Sequence, residues 1–169
     1  AQADAGPNAV RLFGETLTPV CSPKLLERAP LKRVEDLDRH VLIHFNDLEG
    51  RAQWLSWDQF LAQAKHEGVR GKGAAHFSHY DQALRAARAA QGVALGRFPV
   101  IDAAMDDGLV APLADTASIA LTDRAYWLLR RPASVATAQV ELFIEWLKVE
   151  AGRSAVERRP KPRRAKATK

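Results

Sequence analysis

Two turns of the chain combine residue types that could bind a small negatively charged group. In the first, an apolar segment ending at Phe77 runs into Ser78, which is well suited to start a helix, and the free N–H groups of a helix start favour an anion. In the second, Gly96 permits close backbone approach, Arg97 offers several donors and Phe98 supplies an apolar wall. Together these turns predict a pocket for a carboxylate-bearing molecule. A simpler interpretation is also possible, in which Ser78 only caps its helix, Gly96 only makes a turn and Arg97 faces water.

The other reactive side chains do not form a recognisable constellation. His76 and His79 should lie in a strand and a helix start, and no cysteine or carboxylate cluster completes a metal site, so we expect no metal. The single cysteine, Cys21, sits in an apolar segment without a cationic neighbour, which indicates an inert buried thiol rather than a nucleophile with His44 as its base. Because no acid, base and nucleophile converge, we expect neither an enzyme nor a cofactor.

Short strands and helices alternate along the chain, which predicts an α/β protein with parallel strands. Strands are expected at 17–21, 41–45, 74–77, 93–95, 109–113 and 125–129, and helices after Ser22, near 34–37, from Ser56, from Ser78, from Pro99 to near Gly108 and over 135–149. The helix that Ser56 opens with a capping box should end at Gly68. We expect all four tryptophans to be core residues: Trp54, Trp57, Trp127 and Trp146.

The composition, with 47% hydrophobic and 27% charged residues over 169 positions, suits one domain or two small lobes. The net charge of +5 is uneven, because residues 153–169 alone contribute +7 and the remainder −2. That tail should be disordered, and it either binds DNA phosphate weakly or simply aids solubility. Without a signal peptide or an apolar run of bilayer length, we expect a cytoplasmic protein with no membrane contact.

An ordered set of short segments resembles one bacterial family. The segments are Leu17–Pro23, Val34–Leu37, Leu42–His44, Trp54 with Trp57, Phe77–Leu84, Gln91–Arg97, Gly108–Leu113, Tyr126–Leu128 and Phe143–Leu147. In this order the chain is similar to LysR-type transcription regulators over about residues 10–150. The residues within these segments resemble the branch of the family that includes glycine-cleavage and β-lactamase activators.

The resemblance implies a type 2 periplasmic-binding-protein-like fold, in which two Rossmann-like lobes with parallel-rich sheets are joined by two crossover strands. Residues 1–21 would be a remnant of the first lobe with a crossover strand, 22–115 the complete second lobe, 116–152 the return to the first lobe and 153–169 the basic tail. The first lobe would be partial, so apolar faces that include Phe143 and Trp146 would be partly uncovered. Such faces favour self-association.

The resemblance also implies that a small effector binds between the lobes and biases how a dimer or tetramer presents its DNA-reading domains. The implied effector-binding residues are Ser22, His44, Phe77, Ser78, Gly96, Arg97 and Phe98. The implied hinge is formed by Pro19, Val20, Cys21 and Ser22. The effector would be an amino acid or an organic acid, since the features at Arg97 and Ser78 favour an anion.

The family's winged helix-turn-helix domain has no counterpart in this sequence, so DNA contact would come only through parts not present here. The chain would then be a fragment, a truncated product or a subunit that leans on a partner. Two alternatives remain: a solute-binding protein of the same fold, and a truncated modulator that pairs with full-length regulators.

Overall fold

A computed structural model describes residues 9–50, 52–101, 105, 107–113, 119–130 and 137–157. The strands are β1 (Ala9–Val20), β2 (Val41–Phe45), β3 (Gly73–Phe77), β4 (Val93–Phe98) and β5 (Ile119–Leu129). The α-helices are α1 (Pro23–Arg28), α2 (Trp57–Gln63), α3 (Tyr80–Arg88) and α4 (Ala138–Glu157), and two 3₁₀ helices cover Val34–Arg39 and Gln53–Leu55.

The five strands form one sheet in the order β3-β2-β4-β1-β5. Strand β2 runs parallel to both β3 and β4, which confirms the predicted parallel α/β core. Strand β1 runs antiparallel to β4 on one side and to β5 on the other. The carboxyl ends of the three parallel strands therefore meet at one edge of the sheet, and the middle of β1 passes that same edge.

Each face of the sheet is covered by its own apolar cluster. On one face, Trp57 and Phe60 of α2 pack with Leu42 of β2 in a cluster of buried residues. The indole N–H of Trp57 donates to the Ile43 carbonyl oxygen at 3.0 Å, so its buried polar atom is satisfied. On the other face, the small side chains of α3, including Ala87, pack against β2 and β4. These layers fix where the strand ends lie.

Strands β1 and β5, which pair with each other, are longer than their sequence patterns suggest. Strand β1 begins at Ala9 rather than Leu17, because residues 9–17 pair along β5, whose own start at Ile119 is earlier than the predicted 125. The strand predicted over 109–113 is wrong. Only an isolated bridge joins Val110 to Cys21, with backbone N–O distances of 2.8 and 3.0 Å.

Helix α2 starts as predicted and ends early. The Ser56 hydroxyl accepts a hydrogen bond from the Gln59 backbone N–H at 3.2 Å, which confirms the cap. The predicted end at Gly68 is wrong, because the helix closes at Gln63 and Lys65 takes a positive φ of 60°. A non-glycine residue thus adopts the left-handed conformation that the prediction reserved for Gly68.

The next two predicted helices were expected to start at Ser78 and at Pro99. The cap of α3 is His79 rather than Ser78, whose hydroxyl lies 3.0 Å from the His79 ring nitrogen Nδ1 instead of accepting from the helix. Around Pro99, the Ile101 backbone N–H donates to the Arg97 carbonyl oxygen and the Met105 N–H donates to the Ile101 carbonyl oxygen, both at 3.0 Å. Residues 102–104 and 106 of that segment lie outside the described part of the chain.

Helix α4 continues to Glu157, beyond the predicted end at Val149, and residues 158–169 of the predicted tail lie outside the described residues. Its Phe143 and Trp146 side chains are stacked with 5.7 Å between ring centroids, and each is more than half exposed. The prediction that Trp146 is a core residue is therefore wrong, whereas the same prediction for Trp57 is confirmed because that side chain is buried. Trp54 and Trp127 are only partly buried.

Candidate functional site

Arg97 joins the parallel part of the sheet to strands β1 and β5. It lies near the carboxyl end of β4, on the α2 face of the sheet. Its Nε donates to a Glu15 carboxylate oxygen of β1 at 2.6 Å, and its Nη2 donates to the Tyr126 hydroxyl of β5 at 3.2 Å. The Glu15 side chain is 4% exposed and the Arg97 side chain 23%. This is a largely buried ion pair with a third polar partner.

Tyr80 holds the backbone at the same strand end. Its hydroxyl donates to the Leu95 carbonyl oxygen at 3.0 Å and accepts from the Arg97 backbone N–H at 3.1 Å. Burial raises the pKa of the Tyr80 phenol above its usual value, so the group stays protonated and keeps both roles. The first turn of α3 is thereby fastened to the end of β4.

A second arginine shares an aromatic side chain with Arg97. The Arg97 guanidinium carbon lies 4.9 Å from the Trp54 ring centroid, and the Arg124 guanidinium carbon lies 4.1 Å from it. Both distances are within the range of a cation–π interaction. Arg124 is exposed, and among the described side chains no carboxylate lies within ion-pair distance of it.

These side chains border an open cavity of about 300 Å³ on the α2 face of the sheet. Its lining comes from β1, β4, β5 and the 3₁₀ helix before α2: Glu15, Trp54, Arg97, Arg124, Ala125, Tyr126 and Trp127. Such a volume suits a metabolite-sized ligand, and the walls offer charge, hydroxyl and aromatic surface together.

Of the seven predicted effector-binding residues, Arg97 alone is among the residues lining this cavity. Its neighbours Gly96 and Phe98 belong to the opposite face of the sheet because strand side chains alternate. Phe98 is buried in the α3-side cluster, and Phe77 packs against that cluster too. A Cβ on Gly96 would meet the Ile101 side chain first and would come within 2.7 Å of Val20 Cγ1, so close packing on this face of the sheet accounts for this glycine.

His44 points to the same face of the sheet as Arg97, but its ring contacts a residue of β3, on the side of β2 away from β4. Its ring lies 4.7 Å from that of His76, centroid to centroid, on the adjacent strand β3. The Asn46 side-chain amide nitrogen lies 3.2 Å from His76 Nδ1. Burial, and then the neighbouring His76, lower the pKa of His44. The Ser78 hydroxyl is exposed and paired with His79.

The predicted hinge and Ser22 lie at the other end of the sheet. Pro19 and Val20 pair with Leu95 and Ala94, so the chain at Ser22 has passed the beginning of β4. The Ser22 N–H donates to the Ala87 carbonyl oxygen at 3.2 Å. Ser22 is therefore separated from the cavity by the length of β4.

Outside this cavity, the described residues offer neither a reactive thiol nor a metal-binding cluster. Burial raises the pKa of the Cys21 thiol to about 12, so it stays protonated at neutral pH, as its apolar sequence context predicts. Across the described residues there is no group of three or more histidine, cysteine or acidic side chains placed to hold a metal ion. The described helices include none that is both long enough and apolar enough to cross a membrane.

Sequence reasoning missed Glu15, Trp54, Arg124 and Tyr126 as site residues. Their convergence depends on the antiparallel pairing of β1 with β5, which links positions more than a hundred residues apart in the chain. A usable signal existed in Glu15, a carboxylate inside a strand segment that is otherwise mostly apolar.

Comparisons with known proteins agree with this architecture. The family model described as the LysR substrate binding domain matches residues 1–152. The glycine cleavage system transcriptional activator of Escherichia coli strain K12 is 30% identical over 148 residues, which make up 86% of this chain and 46% of that protein. The chain thus spans about half the length of the relatives that it matches.

Solved structures share the fold. The effector domain of the regulator AmpR of Pseudomonas aeruginosa superimposes with a TM-score of 0.63 at 23% identity, over 88% of this chain and 67% of that one. The AmpR effector binding domain of Citrobacter freundii gives 0.60 at 21% identity, over 86% and 68%. The type 2 periplasmic-binding-protein-like architecture is therefore present. This chain belongs to the LysR substrate-binding domain family, the effector-binding domain of LysR-type transcription regulators.

Proposed function

We propose that this chain senses a small metabolite in the cavity beside Arg97 and thereby controls DNA binding by a helix-turn-helix domain outside this sequence. The carrying observation is the origin of the cavity's lining. Trp54 and Arg97 belong to residues 22–115, which the proposal assigns to the second lobe, whereas Glu15 and residues 124–127 belong to the strands β1 and β5. A ligand there touches both units whose relative position a regulator must change.

Strands β1 and β5 are the crossover strands of this proposal, with lobe boundaries near residues 22 and 115. Pairing between β1 and β5 is irregular between Arg11 and Phe13 and again between Gly14 and Glu15. Strand β1 pairs with β4 only from Thr16 onwards, whose partner in β4 is Phe98. The part of β1 before Thr16 therefore pairs with β5 alone, and this pairing is irregular. Because such a segment is easier to bend, this supports a pivot next to the cavity rather than at 19–22.

The remaining parts of the proposal follow from the relatives, which are transcription regulators. We infer a cytoplasmic dimer or tetramer without catalytic activity, whose effector is an amino acid or an organic acid. The resemblance to an activator supports regulation over solute transport on the same fold.

A thermal-shift panel of amino acids and organic acids tests the site. A metabolite at about a hundred times its Kd should stabilise the chain by about 2.7 kcal/mol. Trp54→Ala should abolish this stabilisation, whereas Trp146→Ala, which alters an exposed tryptophan of α4, should retain it. Equal loss in both variants, or no response from any member of the panel, contradicts the proposal.

A further inference from the structure

We propose that Arg124, and not Arg97, anchors the effector, and that the effector carries a single negative charge. This inference rests on the proposed function, because it concerns the same cavity. It follows from how the three charged side chains that line the cavity are partnered: Glu15, Arg97 and Arg124.

The charge of Arg97 is already used within the protein. Its guanidinium is bonded to Glu15 at 2.6 Å and to the Tyr126 hydroxyl at 3.2 Å, and its Nε–H points at the carboxylate. A ligand carboxylate that took this guanidinium would leave Glu15, which is 4% exposed, as an uncompensated buried charge. Such a charge is strongly unfavourable. Arg97 therefore shapes the cavity wall and holds Glu15.

Arg124 is in the opposite situation. Its backbone belongs to β5, its side chain is exposed, and its guanidinium lies on the Trp54 ring. Cation–π contact restrains the side chain without consuming its hydrogen-bond donors. Among the described residues no carboxylate is paired with it, so its planar fork remains available for a bidentate contact with a ligand carboxylate.

The charges of the cavity decide the class of ligand. Among the described side chains that line the cavity, Glu15 and Arg97 neutralise each other at 2.6 Å, which leaves the positive charge of Arg124. A ligand with one negative charge balances it. A second negative charge would be left without a partner, and a cationic ligand would meet repulsion.

Calorimetry with matched small molecules tests this assignment on the full chain. The probes are benzoate and benzamide, acetate and acetamide, and succinate, at constant ionic strength. We expect the monocarboxylates to bind and the neutral amides to bind at least tenfold more weakly. Arg124→Gln should weaken carboxylate binding at least tenfold, while Arg85→Gln, which changes an exposed arginine of α3, leaves it unchanged.

The outcomes separate this inference from the proposed function. If the amides bind as well as the acids, if succinate binds more tightly than the monocarboxylates, or if Arg124→Gln retains full affinity, the anchor assignment is overturned while the cavity stays a ligand site. If no probe and no member of the metabolite panel binds the wild-type chain, the proposed function itself fails, and this inference fails with it.

Discussion

Replacing Arg97 with Met removes the guanidinium and keeps most of the apolar stem, so it isolates the role of the ion pair. Glu15, 4% exposed, would then lack its cation. Breaking a buried pair by removing one partner costs about 3–5 kcal/mol. Because the Arg97 side chain is 23% exposed, water can reach the site in part, and we expect a loss of about 3 kcal/mol in the free energy of unfolding.

The reverse substitution should cost less. In Glu15→Gln the guanidinium of Arg97 keeps its bond to Tyr126 and its access to water, so we expect about 1–2 kcal/mol. The double variant should be less destabilised than the sum of the single variants, with a coupling energy of about 1–3 kcal/mol. Arg88→Met serves as control, since the pair of Arg88 with Asp107 is far more exposed and should contribute at most about 1 kcal/mol.

Urea unfolding followed by tryptophan fluorescence measures these differences, and the Arg97→Met loss corresponds to a fall in Tm of roughly 6–12 °C. If Arg97→Met costs less than about 1 kcal/mol, or if the two single variants are additive, the pair behaves as a screened surface contact. The Arg97 guanidinium would then be free to contact a ligand.

Three further predictions concern stability and assembly. Burial lowers the pKa of both His40 and His44 from 6.5, so their contribution to stability is complete above that pH, declines below it and is lost as the pH falls to the folded pKa. Tm measured across this range should therefore fall on acidification, and less so in His40→Gln. Gly96→Ala should cost about 1–3 kcal/mol in thermal unfolding, because the new methyl group meets the Ile101 side chain and also Val20 Cγ1 at 2.7 Å; an unchanged Tm would show that these side chains move aside without cost. The exposed pair Phe143 and Trp146 should cause concentration-dependent association in sedimentation velocity, which Trp146→Glu should reduce, and a wild-type chain that stays monomeric at all concentrations would contradict it.

Local sequence rules predicted the parallel core of the sheet well. The apolar run of β2 and the cap at Ser56 were predicted correctly because each depends on neighbouring residues alone. The failures were positions where tertiary packing decides. Lys65 ends α2 with a positive φ, and the segment around Val110 stays a single bridge instead of a strand.

The candidate site was only partly predictable, for the same reason. Arg97 was identified from local information as part of a turn after residue 95, although β4 in fact runs through it to Phe98. Its partner Glu15 lies 82 positions away, and the choice between a free and a neutralised arginine depends on that contact. The sequence alone also suggested that Gly96 and Phe98 would share the pocket with Arg97, but the alternation of β4 sends them to the other face.

A nuclear magnetic resonance titration of the labelled chain with the amino acid and organic acid panel shows directly whether a metabolite binds in the cavity beside Arg97. We expect saturable shifts of the Trp54 indole N–H and of backbone signals at Ala125 and Tyr126, with the Trp146 indole N–H unchanged. Saturable binding that shifts other regions and leaves Trp54 unmoved would contradict it.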